Sequence, residues 1–192
     1  MSFVELEREE QAGRKKRIID LVVELFAPGM IDLDPCSTAE ANTRVGAVRF
    51  FDAAADGLDP GNVYSGNVFC NPPFGVMAGG ESMQGLFLER CLAEYREGRV
   101  KQVVLLLKAA VGYAWFRQVG GLPHCTLWER LAFVQPAALC GEEAGEGLRW
   151  GSKVQNPHGS VVVYLGPDPQ RFAKVFGRAG SVPGFNGWAL AG

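Results

Sequence analysis

From Gln102 to Leu107 the chain reads Gln-Val-Val-Leu-Leu-Leu, with no polar residue at alternate positions. Successive side chains of a strand point to opposite faces, so a run that is apolar throughout marks a strand covered on both sides, as in a sheet sandwiched between helices. The flanking sequence supplies the alternation such a sheet needs. Lys16 to Phe26 sets Ile18, Ile19, Val22, Val23, Leu25 and Phe26 at helical spacing and stops at Pro28-Gly29. Met30 to Asp34 reads as a first strand, and Thr38 to Val48 as a brief helix capped by Ser37 or Thr38. Val63 to Cys70 is a second strand. Ser82 to Glu97 is a helix with Met83, Leu86, Phe87, Cys91, Leu92 and Tyr95 on one side and Gly98 at its end. Tyr113 to Val119 predicts a short helix, Leu127 to Val134 and Val161 to Leu165 two more strands, and Gln170 to Phe176 a last helix. Charge-rich residues 3 to 12 predict a short helix as well. Strands alternating with helices give an α/β sandwich around a mostly parallel sheet.

A full βαβ unit takes about 30 residues, so Asp34 to Asn71 cannot hold several of them. The early part of the sheet must be abbreviated. A length of 192 residues suits one domain over 1–192, with 1–15 as an N-terminal extension. The content of 47% hydrophobic and 21% charged residues excludes a disordered chain. A formal net charge of −2 excludes broad electrostatic capture of nucleic acid, so any basic footprint is local. The one dense cluster, Arg14-Lys15-Lys16-Arg17, fits a solvated helix face better than a phosphate site. Cys36, Cys70, Cys91, Cys125 and Cys140 show no CxxC spacing, and His124 and His158 fall in expected loops without ligand partners, so no metal site is expected. No signal peptide, spanning apolar run or disulfide framework is visible. A cytoplasmic protein without a membrane partner is expected, in a bacterial or phage-infected cell. Gly141 to Gly151 is the expected mobile loop, and Asn156-Pro157-His158-Gly159 a turn.

Candidate chemistry lies at Asn71-Pro72-Pro73-Phe74, directly after the Val68-Phe69-Cys70 run. Two prolines remove two donors and fix φ, and Pro72 keeps Asn71 extended. Acceptors therefore converge: the Asn71 side-chain carbonyl beside main-chain carbonyls, with the flat Phe74 next to them. Such a ridge suits a planar group bearing an exocyclic NH2. Accepting both hydrogens pushes that nitrogen toward tetrahedral geometry and frees its lone pair. The same four residues also satisfy an ordinary turn. Asp34, at an expected strand end, can face the same crevice, since ligands of such sheets bind at strand carboxyl ends; it equally suits a turn cap.

Four segments in order, Ile31-Asp32-Leu33-Asp34-Pro35-Cys36-Ser37, Asp56-Gly57-Leu58, Asn71-Pro72-Pro73-Phe74 and Trp115-Phe116, with Ser160 to Gly166 and Arg171-Phe172 after them, resemble the S-adenosylmethionine-dependent amino-methyltransferases. Among these the chain is most similar to the compact phage-type DNA adenine N6-methyltransferases. The resemblance implies a Rossmann-like three-layer sandwich whose mostly parallel, abbreviated sheet ends in an antiparallel late strand. It implies S-adenosyl-L-methionine as cofactor. Asp34, Pro35 and Cys36 would hold its methionine part, Asp56 its adenosine, and Asn71 would bind the cofactor as well. Asn71, Pro72, Pro73 and Phe74 would be catalytic, with Phe74 stacking on an adenine flipped from DNA.

Relatives of that kind commonly carry a Trp and a Thr-Pro pair ahead of the first helix; Gln11 to Ile18 has neither. No separate target-recognition domain is visible, which leaves Gly75 to Gly85 and Gly141 to Pro157 for sequence choice. RNA or a protein glutamine offers the same planar amine and stays open as substrate. So does a catalytically silent nucleic-acid-binding or partner subunit, or a homodimer. Trp115 and Phe116 also suit an ordinary core pair.

Overall fold

The computed structural model describes residues 3–5, 18–134, 153–155 and 157–185. Their elements run in the order β1 (Phe3–Glu5), α1 (Ile18–Phe26), β2 (Leu33–Asp34), α2 (Ala39–Val45), β3 (Arg49–Phe50), β4 (Gly66–Cys70), α3 (Met83–Arg96) and β5 (Val100–Lys108). A 3-10 helix (Ala114–Gly121) follows, then β6 (His124–Leu127), β7 (Ala132–Val134), β8 (Lys153–Gln155), β9 (Ser160–Leu165), α4 (Pro169–Phe176) and β10 (Gly180–Ser181).

Seven strands form one sheet in the order β10-β6-β9-β5-β4-β2-β3. Strand β5 is buried on both faces, as its composition requires. Val104 and Leu106 join Phe69 of β4 and Val162 and Tyr164 of β9 in one core, against Leu21, Val22 and Leu25 of α1 and Phe172 and Phe176 of α4. Val103, Leu105 and Leu107 join Val68, Cys70, Val161 and Val163 in a second core, against Phe87, Leu88, Cys91 and Leu92 of α3. The period of two along each strand divides the side chains between two helical layers. Helix starts are fixed by side-chain caps: Thr38 Oγ1 accepts from the Ala41 N–H at 3.0 Å, and Ser82 Oγ from that of Gly85 at 3.3 Å.

The sheet is mixed rather than mostly parallel. Pairs β3–β2, β2–β4 and β4–β5 are parallel, whereas β5–β9, β9–β6 and β6–β10 are antiparallel. The late strand expected to run antiparallel is β9, inserted between β5 and β6. The early sheet is abbreviated, since β2 and β3 have two residues each and a stretch of turns replaces any further strand before β4.

Other expectations need correction. Phe3–Glu5 is a strand paired with β7, not the start of a helix. Leu127 to Val134 is not one strand: the chain bends at Trp128-Glu129, after which β7 joins the separate sheet β1-β7-β8. His124 opens β6 rather than lying in a loop, with Nδ1 2.8 Å from the Leu122 carbonyl oxygen. On α1, Leu21 is buried and Val23 is exposed. The basic cluster at 14–17 and the 141–151 loop lie outside the described residues. Among those residues no helix is long and apolar enough to cross a membrane.

Candidate functional site

Strand β2 leads to β3 on one side, and the chain then returns to place β4 on the other side of β2 before continuing to β5. Connections that diverge from two adjacent parallel strands open a crevice at their carboxyl ends. Asp34 is the last residue of β2, and Asn71 directly follows β4. Their neighbours are in contact: Cys36 Sγ lies 3.7 Å from Cys70 Sγ. Two segments that are distant in sequence therefore share one edge of the sheet.

The third segment joins them through a glycine. A Cβ at Gly57 would overlap the Pro35 carbonyl oxygen, so the Asp56-Gly57-Leu58 turn packs directly on the Asp34-Pro35-Cys36 turn. The Tyr64 hydroxyl holds that turn by donating to the Gly57 carbonyl at 2.8 Å. Asp56 has φ of 51°, in the left-handed region that Asp tolerates better than most residues, and its Oδ1 accepts from the Leu58 N–H at 3.0 Å. Its turn role is thus real, while the residue as a whole stays exposed.

Asp34 is almost fully buried, and Oδ1 accepts from the Cys36 N–H at 3.0 Å. Desolvation raises its pKa to about 7, against the lowering influence of the Cys36 amide and the adjacent Ser37 hydroxyl. Ser37 Oγ is itself buried and has no partner of good hydrogen-bond geometry. The site therefore holds a buried carboxyl of raised pKa beside a buried hydroxyl. A cationic, hydrogen-bonding ligand group would complement both. The nearby thiols are inert by contrast. Burial pushes Cys36 up to about 11 and lifts Cys70 well above the ordinary range, and Cys91 rises through its hydrogen bond with Cys70 and through burial. Among the described residues no group of three His, Cys, Asp or Glu could hold a metal ion.

Beyond Asn71 the ridge runs outward. Pro72 is buried, Asn71 and Pro73 are half-buried, and Phe74 is 45% exposed. The glycine-rich segment after it is an ordered turn: Val76 bridges Ser82, the Met77 N–H donates to the Glu81 carbonyl at 2.8 Å, and the Met83 N–H to that of Gly75 at 3.0 Å. Phe74 forms one wall of a groove of about 530 Å³ whose other walls include Gln84, Lys108, Tyr113 and Trp115. Asp34, Pro35, Cys36, Asp56, Asn71, Pro72 and Pro73 do not line it, so of the candidate site residues the groove takes in Phe74 alone.

The sequence did not single out Gln84, Lys108 or Tyr113. Gln84 Oε1 accepts from the Lys108 N–H at 3.2 Å, which ties α3 to the end of β5, and the Lys108 ammonium lies 5.8 Å from the Tyr113 ring centroid. A Lys directly closing an apolar strand was the one available signal. Trp115 and Phe116 meet edge-on at 5.5 Å and pack partly buried against the α3-side core, so both the core role and a groove-wall role for Trp115 are seen. The chain matches no protein-family model and no curated protein.

Proposed function

We propose that this chain is an S-adenosylmethionine-dependent methyltransferase acting on a planar exocyclic amine, the N6 amine of adenine in DNA. The observation that carries this reading is the meeting of the Asp34 turn, the Asp56-Gly57 turn and the Asn71 ridge at one edge of the sheet, where the connections of β2 and β4 diverge. That position favours a nucleotide-like ligand in a Rossmann-like sheet. The two-layer helical cover and the antiparallel β9 support the same reading of the fold.

The residues present fit the cofactor. A buried carboxyl with raised pKa suits an α-ammonium group, and the buried Ser37 hydroxyl beside it suits a neighbouring polar atom. Asp34, Pro35 and Cys36 would hold the methionine part and Asp56 the adenosine. S-adenosylmethionine supplies an electrophilic methyl group carried on a sulfonium. The contribution of the chain is positional and electrostatic. The Asn71 side-chain carbonyl and the Asn71 and Pro72 main-chain carbonyls accept the amine hydrogens and draw the nitrogen lone pair out of conjugation. Phe74 stacks on the base, and the groove behind it gives the ring room. No dedicated general base is required, because the N–H proton turns acidic only after the nitrogen has gained its methyl group.

Glu81 and Glu89 also line the groove. Two carboxylates against one lysine repel a phosphate backbone at close range, which favours a second reading in which the acceptor is a glutamine amide of a protein. Incubation with radiolabelled cofactor and an equimolar mixture of DNA, RNA and glutamine-bearing protein separates these. Label recovered as N6-methyladenine from DNA supports the first reading. Label confined to protein supports the second, and label in cytosine removes both.

A further inference from the structure

Between Phe50, the end of β3, and Gly66, the start of β4, the chain forms neither helix nor strand. This is where the abbreviated sheet leaves the Asp56-Gly57 turn without a strand to carry it. Local bonds shape the segment: Asp52 Oδ1 accepts from the Ala54 and Ala55 N–H groups, and Asn62 Nδ2 donates to the Ala55 and Asp56 carbonyls at 2.7 and 2.8 Å. Such bonds fix a shape but do not fix its place on the molecule.

One side chain from α3 supplies much of that placement. The Arg90 guanidinium donates to three carbonyls of the segment, Asn62 at 2.8 Å, Asp59 at 3.3 Å and Leu58 at 3.4 Å. It lies 4.9 Å from the centroid of the Tyr64 ring, whose hydroxyl holds the Gly57 carbonyl. Its Nε donates to Glu94 Oε1 at 2.7 Å, and Glu94 also pairs with Arg99, so the guanidinium is aimed from behind. Glu94 is kept ionised: burial works against its charge, but Arg99 and Arg90 together hold its pKa below the usual carboxylate range. A planar fork with five fixed donors can serve three carbonyls, an aromatic face and a carboxylate at once, which an ammonium cannot.

We infer that Arg90 is a positioning residue for the cofactor's adenosine half, acting through the Leu58–Asn62 carbonyls and Tyr64 to hold Asp56 over the Pro35 turn. The inference rests on the cofactor reading proposed above. Arg90 does not line the groove beside Phe74, so its loss separates cofactor affinity from turnover.

The test compares wild type with Arg90→Gln and Arg90→Lys, using calorimetry with S-adenosylmethionine, and KM and kcat for methyl transfer to DNA. Circular dichroism establishes that each variant is folded, and Tyr64→Phe, which removes only the bond to Gly57, is measured as a milder second variant. The expected result is a cofactor KM raised at least about tenfold in Arg90→Gln, with Lys restoring only part, and kcat at saturating cofactor within about twofold, as losing charge-assisted bonds to a binding loop requires. Tyr64→Phe should move KM in the same direction by less. Unchanged cofactor affinity in folded Arg90→Gln, or a raised KM accompanied by an equally large fall in kcat, overturns the inference and leaves the methyltransferase reading standing. Wild type that binds no S-adenosylmethionine overturns both.

Discussion

If Asp34 holds the ammonium group of the proposed cofactor, its surroundings make cofactor affinity depend on pH. In the free protein, burial holds its pKa at about 7. Pairing with an α-ammonium requires the ionised form, so cofactor binding must expel a proton below that pH. The acid limb of affinity then falls by about tenfold per pH unit below 7, while the α-amine, with an ordinary pKa of about 7.7 to 8.0, gives a second fall on the alkaline side. The product of the two occupancies peaks between about 7 and 8. From these values the dissociation constant should be about fifteen-fold larger at pH 5.5 than at pH 7.5. Calorimetry in two buffers of different ionisation enthalpy measures both the affinity and the proton released, which should approach one per cofactor at pH 5.5. In Asp34→Asn the acid limb should vanish and the remaining affinity should be low. A wild-type affinity constant within twofold from pH 5.5 to 7.5, or an acid limb that survives in Asp34→Asn, refutes the placement of the ammonium on Asp34.

The same carboxyl governs the stability of the free protein. Its folded pKa is raised above the unfolded value of 3.8, so the stability that the protonated form provides is full below about pH 4 and is lost as pH rises through about 7, on the order of 4 kcal/mol in all. Asp34→Asn should therefore melt above wild type at pH 8 and level with it near pH 4 by thermal denaturation. Asn71→Ala should lower kcat by about 10² to 10³, the cost of losing one preorganised group in comparable sites, with a smaller loss of cofactor affinity by calorimetry. Phe74→Ala, at a 45% exposed position, should leave the melting temperature intact and raise the substrate KM about 5- to 150-fold, from the 1–3 kcal/mol of one stacked base. Gly57→Val should lose cofactor binding, because its side chain would occupy the place of the Pro35 carbonyl oxygen and lift the Asp56 turn away.

Residues that speak through their own periodicity were legible in the sequence. The unbroken Val103 to Leu107 run and the apolar sides of α1 and α3 each fix an element with no knowledge of partners, and the alternation of such elements gives the layered architecture. Two-residue strands were not legible. Arg49–Phe50 and Gly180–Ser181 are strands only because β2 and β6 lie beside them, and no side-chain pattern of their own records it. The break after Leu127 was missed because Leu131 to Val134 resumes an apolar run that a strand reading bridges, although its pairing partners are the remote Phe3–Glu5 and Lys153–Gln155. At the site, Asp34 and Asn71 were legible because a strand end followed by proline marks a change of direction. Arg90 and Gln84 were not, since an Arg or Gln on a helix declares nothing until tertiary packing sets three carbonyls, or a strand end, before it.

The central claim is that the Asn71 ridge presents an adenine amine of DNA for methylation. Its most direct test is a genome-wide map of modified bases in DNA from cells expressing the wild-type chain beside cells expressing Asn71→Ala. The account predicts N6-methyladenine at positions that stay unmodified with Asn71→Ala. Unmodified adenine throughout, in cells whose wild-type protein is recovered folded and able to bind S-adenosylmethionine, would contradict it.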